Sequence, residues 1–152
     1  MRIFYKSMFN KMEKSTRLQL EEDLCFNVEL DGLKFKIDSD EKFGGKNRGP
    51  QPKNLMLVAL GGCTGMDVAS IMKKMKLSYE GMEVKVKGVM TEEHPKHFSK
   101  MHITYIVKGK NLDRSKVERA VELSQDKYCG VTHVYRASME VTHEIILHDN
   151  KI

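Results

Sequence analysis

The sequence predicts an α+β fold with antiparallel sheet. Two observations carry this. Short segments of alternating apolar and polar residues lie on both sides of one long apolar stretch, and few strand pairs are separated by a crossover helix. The predicted order is βββ-α-ββ-α-(α)-β, in one domain over residues 1–152, with about 1–14 as an N-terminal extension.

Thr16 to Leu20, Cys25 to Leu30 and Leu33 to Ile37 read as three short strands, the last two joined by Asp31-Gly32, a strong hairpin signal. Asp38 to Gln51 is rich in turn formers and reads as a surface loop. Pro52 suits the first turn of a helix, where its missing N–H costs nothing. From Leu55 to Met75 the chain is apolar on nearly every side in its first half, which predicts a central helix buried by more than one layer. Gly61-Gly62 within it weakens the helix, a weakness tolerated where something approaches the backbone closely.

Met82 to Met90 and His102 to Lys108 alternate with period two and predict a second hairpin, with Pro95 in its connecting loop. Asp113 or Ser115 can cap the next helix, in which Val117, Ala120, Val121 and Ser124 share a face and Cys129 falls at or just past the end. GVTHVYRAS reads as a short turn or helix, and Met139 to Leu147 as the closing strand.

The net charge of +5 is spread over a mixed surface, as in Lys116-Val117-Glu118-Arg119, without an aromatic-interleaved basic stripe, so a nucleic-acid partner is not expected. The opening residues lack the apolar run of a signal peptide. Leu55 to Met66 is shorter than the roughly 18 residues that span a bilayer, so no membrane association is expected. Met8 and Met12 offer later translation starts. Cys25, Cys63 and Cys129 are too few for a disulfide-stapled scaffold and fit a reducing cytoplasm.

Cys63 and Cys129 do not form a Cys-x-x-Cys pair, so a two-thiol site between them has to be assembled by folding. A free buried cysteine is often only a small hydrophobe, and Cys25, between strand residues without a partner signature, is read that way. His94 and His97 in one loop, and His102, His133 and His143 elsewhere, show no zinc-ligand spacing, and no Gly-rich phosphate loop is present. No metal or cofactor is expected.

GPQPKNLMLVALGGCTGMDVASIMKKM followed by SQDKYCGVTHVYR resembles the paired-cysteine signature of the OsmC/Ohr superfamily, in its OsmC-like branch, and the resemblance runs from about Thr16 through Leu147. It implies antiparallel sheets wrapped around central helices in an intertwined homodimer. It implies thiol-dependent reduction of hydroperoxides, often organic ones, in oxidative-stress defence, with Cys63 as the peroxidatic thiol, Cys129 as the resolving thiol and a dithiol such as a lipoyl group as reductant. Leu55, Met56, Leu60, Met66 and Phe98 are candidates for an apolar surround that selects organic hydroperoxides.

The chain departs from the pattern of the superfamily's peroxidases. Lys53 and Asn54 stand where a glutamate is expected, and Glu21 and Glu22 stand near the place of an arginine. Arg17, Arg48 and Lys53 are the candidate replacement cations. Asp67, one helical turn after Cys63, disfavours the thiolate unless a cation engages it or it orients a loop. These departures support a rival expectation, a non-enzymatic binder of a small hydrophobic ligand with the cysteines as redox sensors or relics.

Overall fold

The computed structural model describes residues 13–149. Met8, Met12 and most of the expected N-terminal extension lie outside them. The chain groups into two compact units, Met1–Pro52 and Lys53–Ile152.

The first unit is an antiparallel meander of β1 (Thr16–Glu22), β2 (Cys25–Leu30) and β3 (Leu33–Ile37), in the order β1-β2-β3. The Asp31-Gly32 hairpin forms as expected, with Leu30 paired to Leu33. Its two turn residues have φ of 49° and 79°, a left-handed pair matching the twist of the strands. Cys25 is fully buried, in keeping with a packing role.

The loop after β3 is organised by one carboxylate. Asp38, buried, accepts N–H groups from Ser39 at 2.8 Å, Lys46 at 3.1 Å and Arg48 at 3.2 Å, and the Arg48 Nε at 3.0 Å. Burial alone pushes this carboxyl up, but the Arg48 guanidinium and the backbone donors outweigh it and hold it well below the usual carboxylate range.

The second unit begins in earnest with α1 (Leu55–Lys74), which follows a 3-10 turn at Pro52–Asn54. Then come β4 (Gly81–Met90), β5 (Phe98–Gly109), α2 (Arg114–Leu123), a π turn (Ser124–Tyr128), α3 (Gly130–Arg136) and β6 (Glu140–Asp149). Asp113 caps α2, its side chain accepting the Lys116 N–H. The sheet order is β4-β5-β6.

The β4–β5 hairpin is antiparallel, but β6 pairs with β5 in parallel. This corrects the expectation of a purely antiparallel sheet. The run α2, π turn and α3 is long enough to act as a crossover, returning the chain to the end of the sheet where β5 begins.

Strand β5 is the centre of the core. Met101, Ile103, Tyr105 and Val107 are fully buried and cluster with Leu60, Val68 and Met72 of α1 and Val117, Ala120 and Val121 of α2. Each such apolar side chain contributes about 1.5–3 kcal/mol by leaving water. Gly61 permits the close approach anticipated from sequence: a Cβ there would sit 3.0 Å from Val86 Cγ2 of β4.

Among the described residues of its own unit, α1 is covered on one side. Leu60, Thr64, Gly65, Val68 and Met72 are buried, whereas Val58 and Met66 are 67% and 76% exposed. Among the described residues of the second unit, the expected second layer over this helix is not supplied. By length and composition, Pro52–Lys74 is apolar enough to cross a bilayer, which the shorter count from Leu55 to Met66 overlooked. Its buried face nonetheless packs as the core helix of this unit, against β4, α2 and α3.

Candidate active site

Cys63 lies on α1, and Asp67 follows one turn later on the same face. Cys129 sits where the π turn ends and α3 begins, with extended backbone at φ −73° and ψ 99°. The fold brings the three together, with the two Sγ atoms and a carboxylate oxygen of Asp67 all within 4.8 Å of one another. Both cysteines are free thiols, Cys129 buried and Cys63 partly exposed.

Each of these groups is held by a donor. Cys129 Sγ accepts the Thr132 N–H at 3.4 Å, Asp67 Oδ2 accepts the Ser124 hydroxyl at 3.3 Å, and the Cys63 sulfur is approached by the Val131 N–H. The start of α3 thus supplies one backbone N–H to each sulfur.

Burial pushes the Cys63 thiol up, and the neighbouring Cys129 and the negative charge of Asp67 push it further in the same direction. The Val131 N–H opposes them without prevailing. Asp67 therefore acts on the thiol as anticipated, while its hydrogen bond to Ser124 ties it to the π turn.

Beneath the site runs a buried polar network that the sequence did not announce. Arg136 Nη2 donates to Gln125 Oε1 at 3.1 Å, which fixes the amide so that its Nε2 points inward. That nitrogen donates to Tyr105 OH at 2.7 Å and to Thr64 Oγ1 at 3.1 Å. Tyr105 and Thr64 share a hydrogen bond, and Thr64 Oγ1 lies 2.9 Å from Ser124 Oγ. Since Ser124 donates to Asp67, the donors align in one direction: Arg136, Gln125, Tyr105, Thr64, Ser124, Asp67. Burial keeps the Tyr105 phenol protonated by pushing its pKa up. Thr64 inside an apolar helix and Ser124 on the apolar face of the helix expected from sequence were the available signals, because a polar group at such a position needs a partner.

Two of the expected replacement cations have partners within their own units. Arg48 binds Asp38 at 3.0 Å, Glu22 at 2.7 Å and Asp23 at 3.5 Å within the first unit. Lys53 Nζ donates to the Lys96 carbonyl at 2.8 Å. Arg17 lines a recess on the meander with Gln19, Asn27 and Glu29.

Of the expected apolar surround, Leu60 and Phe98 belong to the core, with 0% and 4% exposure, and offer no accessible wall. Packing of the sheet against α1 claims them. Leu55 and Met56 are half-buried and Met66 is open. Tyr128, Cys129, His133 and Arg136 line a recess of about 270 Å³ beside the Cys129 sulfur. Among the described residues the histidines do not gather into a ligand set; Cys63, Asp67 and Cys129 are the group whose donors are close enough to hold a metal ion.

Comparison with known proteins places the chain in a family. Residues 44–144 match the family described as OsmC-like protein. Protein YhfA of Escherichia coli K12 is 36% identical over 97 residues, covering 64% of this chain and 72% of that protein. A hypothetical protein from Aquifex aeolicus superposes with a TM-score of 0.77 at 26% identity, covering 91% of this chain and 99% of the other. An organic hydroperoxide resistance protein OsmC from Legionella pneumophila shares the fold, with a TM-score of 0.69 at 15% identity over 89% of this chain and 97% of its own. With the family match covering most of the chain, and the α+β architecture common to these structures, the chain belongs to the OsmC-like family.

Proposed function

We propose that this chain reduces hydroperoxides, organic ones in particular, through Cys63 and Cys129, and serves in defence against oxidative stress. The observation that carries the reading is the approach of the two free thiols, with Sγ atoms within 4.8 Å in a chain of the OsmC-like family. Cys63, the more accessible, attacks the O–O bond as thiolate; the alcohol leaves and the sulfur becomes a sulfenic acid. Cys129 displaces water from that sulfur to form the disulfide. Overall, ROOH and two thiols give ROH, water and a disulfide, and an external dithiol restores the thiols by exchange.

The two units act as one OsmC-like domain, a reading supported by the family match running across their junction. The active form is a homodimer, located in the cytoplasm. The open flank of α1 supports the dimer: Leu57, Val58, Gly61 and Gly62, with Val84 and Val86 of β4, line an apolar groove.

The test is consumption of cumene hydroperoxide with a dithiol and a chelator present. Turnover is expected in the wild type and lost in Cys63→Ser, while Cys129→Ser forms a sulfenic acid but does not close the disulfide. Wild-type turnover no faster than Cys63→Ser overturns the reading.

A second reading is favoured by a specific observation, the upward push on the Cys63 thiol by burial, Cys129 and Asp67. A thiol that resists ionisation suits a binder of a small hydrophobic ligand in which the cysteines sense redox state. Ligand affinity unchanged in Cys129→Ser distinguishes it from the reductase.

A further inference from the structure

We infer that Cys63, Asp67 and Cys129 form a binding site for one thiophilic divalent cation of the zinc class, open at its fourth position. The donor chemistry is suitable: two sulfurs and one carboxylate oxygen are ligands zinc accepts in a tetrahedral site. So is the spacing. Zinc–sulfur bonds of about 2.3 Å place tetrahedral ligands about 3.8 Å apart, and the three donor atoms already lie within 4.8 Å. Closing that interval takes a shift of about 1 Å between the sulfurs and slightly more to the shorter-bonded carboxylate oxygen, within the range of small side-chain rotations.

The three side chains are also held by hydrogen-bond donors. Metal ligands are held in place by outer hydrogen bonds, and each of these three has one. The Val131 N–H approaches Cys63, the Thr132 N–H reaches Cys129 and the Ser124 hydroxyl reaches Asp67. The Ser124 hydroxyl is in turn fixed by Thr64 and, through it, by Tyr105 and Gln125. Among the described residues no basic side chain forms an ion pair with Asp67. A divalent ion supplies the positive charge that a carboxylate beside two sulfurs calls for. The recess lined by Tyr128, Cys129 and His133 lies beside one of the three ligands.

Coordination requires both sulfurs as thiolates, so binding releases their protons to solvent. The same sulfurs cannot bond to each other and hold the ion. The reduced chain therefore binds, and the disulfide form does not.

The experiment uses the full chain, metal-free and reduced with a phosphine, titrated with Co²⁺ and then with Zn²⁺. One Co²⁺ per chain is expected, with thiolate-to-cobalt charge-transfer absorption that Zn²⁺ abolishes by displacement. The band is lost in Cys63→Ser and in Cys129→Ser, and kept in Cys25→Ser. Asp67→Asn keeps the band with affinity reduced roughly tenfold or more. Wild type oxidised with diamide, which has the same sequence and needs no substitution, shows no band. Absence of charge transfer in the reduced wild type, its persistence in Cys63→Ser or Cys129→Ser, or equal affinity in Asp67→Asn overturns the inference. No step uses a peroxide. Failure here leaves the reductase reading standing, and absent turnover in the chelated enzyme leaves the ion site standing.

Discussion

Asp67 sets the behaviour of its neighbour. The Cys63 thiol is held above its ordinary value of about 8.5 by burial, by Cys129 and by this carboxylate. Its alkylation by iodoacetamide is therefore expected to rise with pH through a midpoint above that value. Asp67→Asn removes one of the upward influences, so the midpoint moves down and labelling at neutral pH becomes faster. The native thiol keeps its proton to higher pH than the unfolded one, so this group's contribution to stability is full below about pH 8.5 and declines as pH rises through the native midpoint. A midpoint unmoved by Asp67→Asn would mean that the carboxylate does not act on the sulfur. Asp67 was legible as a problem in the sequence because residues four apart share a helix face. Its partner Ser124 was not, because that hydrogen bond joins elements separated by the whole β4–β5 hairpin and α2.

Among the elements, β5 and the π turn are joined by the Tyr105 hydroxyl. Tyr105→Phe leaves the Gln125 amide and the Thr64 hydroxyl short of a buried partner, and is expected to cost about 1–3 kcal/mol in urea unfolding. A loss below a few tenths would mean that water takes over the phenol's place. The strands and α1 could be read from alternation and apolar runs, and the first hairpin from Asp31-Gly32. The direction of β6 could not, since period-two alternation is the same for parallel and antiparallel pairing. Nor could the π turn, where one wider turn is inserted into a helical pattern with no residue signal of its own. The cysteine pair was recognisable by family resemblance, but the network under it had to be seen in three dimensions.

Across the whole molecule, apolar side chains remain open on both units. Leu18, Leu20 and Leu33 of the meander are 48%, 55% and 72% exposed, and Val58 and Met66 of α1 more than half. Open apolar side chains on each unit are what the proposed homodimer would cover. Sedimentation is expected to give twice the 17.5 kDa chain mass, and the double substitution Val58→Glu with Met66→Glu to give a folded monomer. A wild type sedimenting as a monomer would remove the homodimer from the proposal. The π turn carries a consequence at this scale. Ser124 and Cys129 bracket it and are tied to each other, the Cys129 N–H donating to the Ser124 carbonyl at 2.9 Å. One end of this short link is the Cys129 sulfur; the other rests on Thr64 and, through it, on Tyr105 in the interior. In the proposed reductase, closing Cys129 onto Cys63 would load the Cys129–Ser124 hydrogen bond first, so the state of the two sulfurs would be communicated to the buried network through that single link.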